Sequence, residues 1–316
     1  MNTKNTIIEL ISAVGVSGEE QNASMVAAEF LKKYAKTELD YFGNVIGYVG
    51  EFDNNKPTIL LDAHIDEIGF IVSYITDDGF LMVSNCGGID RRLLLAQQAT
   101  IFGSETIYGV ITSTPPHLEE DSTTVPKIDQ IYIDTGLSKE ECEKKVTLGD
   151  KVVITNKYAE LQGDRLTGKS LDDRSGVAAI LLALDMIKGK DLPFNISVLF
   201  SAQEETGERG AKIGSFKIKP DYAIVVDVSF ALTSDDSEYK CGKLGKGAMI
   251  GIAPSLSKKM SKRFIEIAKL NDIPYQVEVM NGTTGTNADV IGVTENGVRT
   301  VTISIPLKYM HTPVEV

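Results

Sequence analysis

The stretch LLDAHIDEIGF, residues 60–70, runs apolar and then stops on His64, Asp66 and Glu67. The chain has only three histidines, and one of them closes a run that reads as a buried strand. The preceding residues, KPTI at 56–59, extend the same pattern back to a proline boundary. A histidine and two acids at the end of an apolar strand suggest a metal site, provided other segments supply the remaining ligands.

Three further strand-like runs end in the same way. SVLFSAQEE, residues 197–205, ends on Glu204 and Glu205; AIVVDVS, residues 223–229, carries Asp227; and TVTISIPLKYMH, residues 300–311, leads into His311. In open α/β sheets ligands bind beyond the carboxyl ends of the strands. A fifth segment, KSLDDRSGVAAILLA at 169–183, places Asp172 and Asp173 just before a helix, where the dipole favours carboxylates. Each feature alone has a commoner explanation: a solvated strand end, a helix cap, or a buried histidine with a hydrogen bond. Gathered at one end of one sheet, they are costly to bury without cations.

Imidazole nitrogens and carboxylate oxygens suit a borderline cation such as zinc. His64, Asp172, Glu205, Asp227 and His311 could hold two divalent ions if Asp172 bridges them. Glu204 is left beside the site as a general base. Asp66, two residues after His64, could fix the imidazole tautomer. His117 lies away from these strand ends and reads as structural or surface.

Apolar strands alternating with helices after residue 170 predict an α/β domain with a mostly parallel central sheet. Helical spacing covers 5–14 and 20–36, with Ser17 and Glu20 spaced as a capping box. Between 67 and 164 the pattern changes to short alternating stretches with frequent turns, which predicts a small inserted β-barrel-like domain. The expected division is therefore 1–66 with 165–316 as the catalytic domain and 67–164 as the insert.

The net charge of −12 repels phosphate backbones, so no nucleic-acid partner is expected, and it favours cations and free amino groups. The three cysteines are far apart without CxxC spacing, as in a reducing, cytoplasmic setting. No segment is apolar enough for a signal peptide or membrane span, so no membrane partner is expected. GDRLTGKS at 163–170 matches the phosphate-loop pattern. Its interior has no extra glycine, two aspartates follow at once, and a nucleotidase would leave His64, Glu204, Glu205 and His311 unexplained. An endoglucanase could pair Glu204 with Asp172, but it has no use for the histidines.

Together, DAHIDEIGF, GKSLDDRSGVAA, QEETGERGAK, VVDVS and IPLKYMHTPVEV resemble the co-catalytic metallo-aminopeptidases of the glutamyl and deblocking type. These include the tetrahedral TET peptidases, some of them labelled cellulase M or endoglucanase. The resemblance runs through nearly the whole chain. It implies a phosphorylase/hydrolase-like α/β fold and a dinuclear zinc or cobalt site. One ion would sit on His64, Asp172 and Asp227, and the other on Asp172, Glu205 and His311, with Glu204 as base and Asp66 orienting His64. It further implies peptide substrates cleaved at the N-terminal residue, and an insert serving homo-oligomerisation, dimer-based and up to dodecamers. A metal-dependent amide hydrolase acting on non-peptide substrates would share every ligand. Asn287, in GTNADV, stands where many members have Asp, which bears on substrate recognition. The chain stops at Val316, where members usually continue into a closing helix.

Overall fold

The structure is a computed structural model that describes every residue except 115–116, 119–124 and 235. The chain opens with two helices, α1 (Thr3–Ser12) and α2 (Gln21–Leu31), followed by strands β1 (Lys36–Leu39), β2 (Val45–Val49) and β3 (Thr58–His64). Strands β4 (Gly69–Ile75), β5 (Leu81–Cys86), β6 (Gln98–Phe102), β7 (Thr106–Ile111) and β8 (Tyr132–Asp134) come next. Helix α3 (Lys139–Cys142) and strand β9 (Lys151–Ile154) complete that middle part. A hairpin of β10 (Ala159–Leu161) and β11 (Arg165–Thr167) leads back into α4 (Leu171–Ile187). The rest alternates: β12 (Asn195–Ser201), α5 (Arg209–Ile218), β13 (Tyr222–Phe230), β14 (Ala248–Ile252), α6 (Lys258–Leu270), β15 (Tyr275–Val279), α7 (Ala288–Ile291) and β16 (Arg299–Leu307).

One eight-stranded sheet organises the catalytic part, in the order β1-β2-β12-β3-β13-β16-β14-β15. Its middle four strands, β12, β3, β13 and β16, are mutually parallel. Every residue of β12 is buried, as expected for a strand covered on both faces. Helices α2 and α4 pack on one face over Phe200, Val198 and Ala63. Helix α5 and α7 cover the other face, over Leu60, Leu199 and Val225.

The register sets the site. His64 pairs with Ser201 across β3 and β12, and Asp227 pairs with Ser304 across β13 and β16. Parallel strands present their carboxyl ends together, so the segments after β3, β12 and β16 leave the sheet at one edge, near Asp227. Strands β4, β5, β8, β7, β6 and β9 close a barrel around Phe70, Leu81, Ile101, Ile111 and Ile133. His117 is exposed.

Two expectations need correction. Ser17 does not cap α2: that helix starts at Gln21 and has no side-chain cap. The Ser17 hydroxyl instead meets the Thr206 hydroxyl at 2.8 Å, while Glu20 is buried and accepts from the amides of Gly18 and Gln203. Tertiary contacts to the loop after β12 outweigh the local cap. Helical spacing over 20–36 also overran, because α2 stops at Leu31 and Lys36–Leu39 forms the edge strand β1.

Candidate metal centre

His64, the last residue of β3, is 2 % exposed. Its Nδ1 faces Asp66, 3.2 Å from the backbone carbonyl and 3.4 Å from Oδ1. Its Nε2 lies 2.9 Å from Asp172 Oδ1. The other Asp172 oxygen lies 3.4 Å from His311 Nε2, which is also 3.5 Å from Glu205 Oε1. One carboxylate thus stands between two imidazoles, with one oxygen turned to each.

Ligand atoms of three groups converge to within 4.8 Å: His64 with Asp173 and Asp227; His64 with Glu204 and Glu205; and Asp172 with Glu205 and His311. All five ligand candidates therefore meet at one place, and Glu204 sits among them. Asp173, given no role by the sequence reading, belongs there too. Its Oδ2 accepts from the His64 amide at 3.2 Å and its Oδ1 from the Gly176 amide at 3.1 Å. A Cβ on Gly176 would stand 2.3 Å from that carboxylate, so no larger residue fits there. Asp172 and Asp173 have non-helical dihedrals, and the regular turns of α4 begin after them.

Asp66 does more than face the histidine. Its two oxygens accept the backbone amides of Glu204 and Glu205, at 3.0 and 3.1 Å, and so lock the loop after β12 to the end of β3. Arg174, fully buried, donates to the carbonyls of Ile65, Leu10 and Ala13. Glu315 accepts from the amides of Asp172 and His311, both at 3.1 Å. Backbone strain accompanies the ligands: Ser170, Gln203, Glu208 and His311 all have positive φ, a conformation that side-chain-bearing residues rarely adopt outside constrained sites. The segment after β5 reaches in from the barrel. Gly87 has φ of 85°, and a Cβ there would stand 3.1 Å from Glu205, while one on Gly88 would stand 3.0 Å from His311 Nδ1.

The electrostatics are those of an acid cluster wanting cations. Burial would lower His64, but the Asp172 and Asp66 contacts outweigh it and hold the imidazole well above its usual value. Burial would raise Asp172, yet both histidines together hold it below the carboxylate range. Burial first, and then repulsion from neighbouring acids, raise Asp173, Asp227 and Glu205 well above the ordinary range. Glu204 is pushed up to about 7 by burial, with Asp66 and Asp172 adding to it. Divalent cations would relieve this repulsion and displace the histidine proton, so the donor set fits them.

The phosphate-loop pattern finds no phosphate geometry. Lys169 and the Ser170 hydroxyl both bond to the buried Glu67, and residues 165–167 form a strand. Asn287 is 1 % exposed and donates to Asp62 and Ser201 beneath the strands, so its effect on substrate is at most indirect.

The model of the M42 glutamyl aminopeptidase family matches residues 43–316. The chain belongs to that family. It is 34% identical over 315 residues to a lysyl aminopeptidase of Pyrococcus furiosus, an alignment covering 97% of this chain and 90% of that one. Among solved structures, an aminopeptidase of the archaeon Desulfurococcus kamchatkensis superposes with a TM-score of 0.92 at 36% identity, covering 99% of this chain and 89% of that one. The TET1 peptidase of Pyrococcus horikoshii, which assembles into a tetrahedron or an octahedral shell, gives 0.87 at 32% identity, covering 99% and 94%. The M42 chain described here is a metal-dependent aminopeptidase of α/β fold, and the bonds of Lys169 and Ser170 to Glu67 leave the nucleotidase reading without a phosphate site.

Proposed function

We propose that this aminopeptidase works through two divalent cations, zinc or cobalt. His64, Asp172 and Asp227 would hold one, Asp172, Glu205 and His311 the other, and Glu204 acts as general base. The observation that carries this is Asp172, whose two oxygens face His64 and His311 at 2.9 and 3.4 Å. A carboxylate so placed is suited to bridge. Cations bound there supply Lewis acidity, lowering the pKa of a water towards roughly 7 and polarising the scissile carbonyl.

The chain's own groups do the rest. Asp66 and the Asp66 carbonyl hold the proton on His64 Nδ1 and leave Nε2 as a lone-pair donor. Glu204, buried and pushed up to about 7, takes the proton of the attacking water and returns it to the leaving amine. Neighbouring carboxylates bind the free α-amino group and limit cleavage to the first residue.

We further infer a homo-oligomer built through the barrel insert of residues 67–164, since the TET1 relative assembles into shells. The three cysteines are free, which suits the cytoplasm. No helix among the described residues is long and apolar enough to cross a membrane.

The test is a panel of aminoacyl-p-nitroanilides assayed with chelator and after adding back zinc, cobalt or manganese one at a time. Activity should vanish with chelator and return with a metal, at two equivalents per chain. Turnover that survives exhaustive chelation, or saturates at one equivalent, defeats the two-cation proposal.

A further inference from the structure

The cavity beside the metal ligands continues away from them along the sheet edge, bounded by the ends of β13 and β16, by β15, and by the segment Thr284–Thr286. Its volume of about 590 Å3 is in the range of small-ligand sites. One wall carries Glu278, on β15. The Ser304 hydroxyl donates to Glu278 Oε2 at 2.8 Å, and the Ser229 hydroxyl donates to Oε1. Both serines are tied to the catalytic cluster by register: Ser304 pairs with Asp227, and Ser229 lies two residues beyond Asp227 on the same strand face. Such a step is about 7 Å, so the Glu278 carboxylate stands on the order of one long side chain from Asp227.

The cavity's chemistry is one-sided. Among its described lining residues there is no lysine or arginine, and Glu208 lines it together with Glu278. Phe230, Met280 and Met310 provide apolar wall, suited to the methylene stem of a long cationic side chain. Two serine bonds orient the Glu278 carboxylate and leave further acceptor positions on both oxygens. An acidic side chain reaching this wall would meet the Glu278 carboxylate, with no lysine or arginine among the described lining residues to pair with.

We propose that Glu278 sets the substrate class: with the peptide's amino end at the metal ligands, the first side chain enters this cavity and its lysine or arginine head bonds to the Glu278 carboxylate. This rests on the aminopeptidase reading above. The bond is charge-assisted, and it discriminates against side chains that cannot form it.

The experiment compares kcat/KM for the p-nitroanilides of Lys, Arg, Leu and Glu, in the wild type and in Glu278→Gln, with metal supplied. In the wild type Lys and Arg should exceed Leu by about 10-fold and Glu by about 100-fold. Glu278→Gln should cut the Lys-to-Leu ratio by about 10-fold. A wild type that prefers Leu or Glu, or a variant whose Lys-to-Leu ratio is unchanged, overturns the assignment. If the variant does not fold, the wild-type order decides alone. Cleavage of Leu without preference for Lys removes only this assignment. Cleavage of none of the four with any metal removes the aminopeptidase reading along with it.

Discussion

The barrel and the central sheet bury opposite kinds of residue. Around the barrel, Phe70, Leu81, Ile101 and Ile133 close an apolar core, and among the described residues of 68–164 the sole buried polar side chain is Thr100. At the carboxyl edge of the sheet, Asp66, Asp172, Asp173 and Asp227 are all buried, each gathered around the buried His64. The first core is favoured by apolar transfer alone. The second opposes folding, since desolvated carboxylates repel, and it persists because Asp66, Arg174 and Glu315 hold its backbone in place. A scaffold that keeps such a cluster stores the stability elsewhere and keeps the charge for chemistry.

The sharpest way to separate the two regions is Glu204→Gln. The change removes the proposed base while leaving every proposed ligand, so kcat should fall by about 100- to 10,000-fold with metal content unchanged by elemental analysis. A variant retaining more than about a tenth of its turnover would show the base to lie elsewhere. The counterpart in the barrel is Ile133→Ala. Ile133 is fully buried, so denaturant unfolding should show a loss of about 2–5 kcal/mol, with kcat per folded molecule retained. Activity lost in proportion beyond the unfolded fraction would show that the barrel does more than carry its own core.

The difference between the regions also explains what could be read from the chain. Buried parallel strands appear as apolar runs, so a His or Glu at the end of one is conspicuous, and the five ligand candidates stood out. Asp173 did not, because two adjacent carboxylates differ only in backbone dihedrals that tertiary contacts set. Strand β1 was hidden because Lys36–Leu39 is an edge with mostly exposed residues and no alternation. The strand YQVEV was visible, but Glu278 acquires meaning only once the register brings it to Ser229 and Ser304. Ser17 and Glu20 matched a local rule that long-range hydrogen bonds overrode.

A smaller effect is expected at Glu315, which joins the two halves of the proposed metal centre. Each of its oxygens accepts one amide, from Asp172 and from His311. Glu315→Gln keeps one acceptor and turns an NH2 towards the other amide, which leaves two donors facing each other. Metal affinity, read by competition with a chromophoric chelator, should weaken by about 10- to 100-fold. Unchanged affinity would mean that the ligand loops hold their shape without it.

The smallest expected effect probes burial without metal contact. Glu20 is 3 % exposed, and burial pushes it up to about 7, with the Gly18 amide pulling partly the other way. Between its ordinary value of 4.5 and about 7, the folded protein keeps a proton that the unfolded chain has released. The native state then binds more protons than the unfolded one, so stability falls as pH rises through that window, and below it both forms are protonated and no difference remains. Glu20→Gln keeps the acceptor for the Gly18 and Gln203 amides and cannot ionise. Relative to the wild type it should therefore gain about 1–3 kcal/mol between pH 4 and pH 8, measured by denaturant unfolding at fixed metal concentration. If the two proteins keep the same stability difference at both pH values, Glu20 titrates as it does in the unfolded chain, and burial at this loop does not carry the cost that it carries at the metal centre.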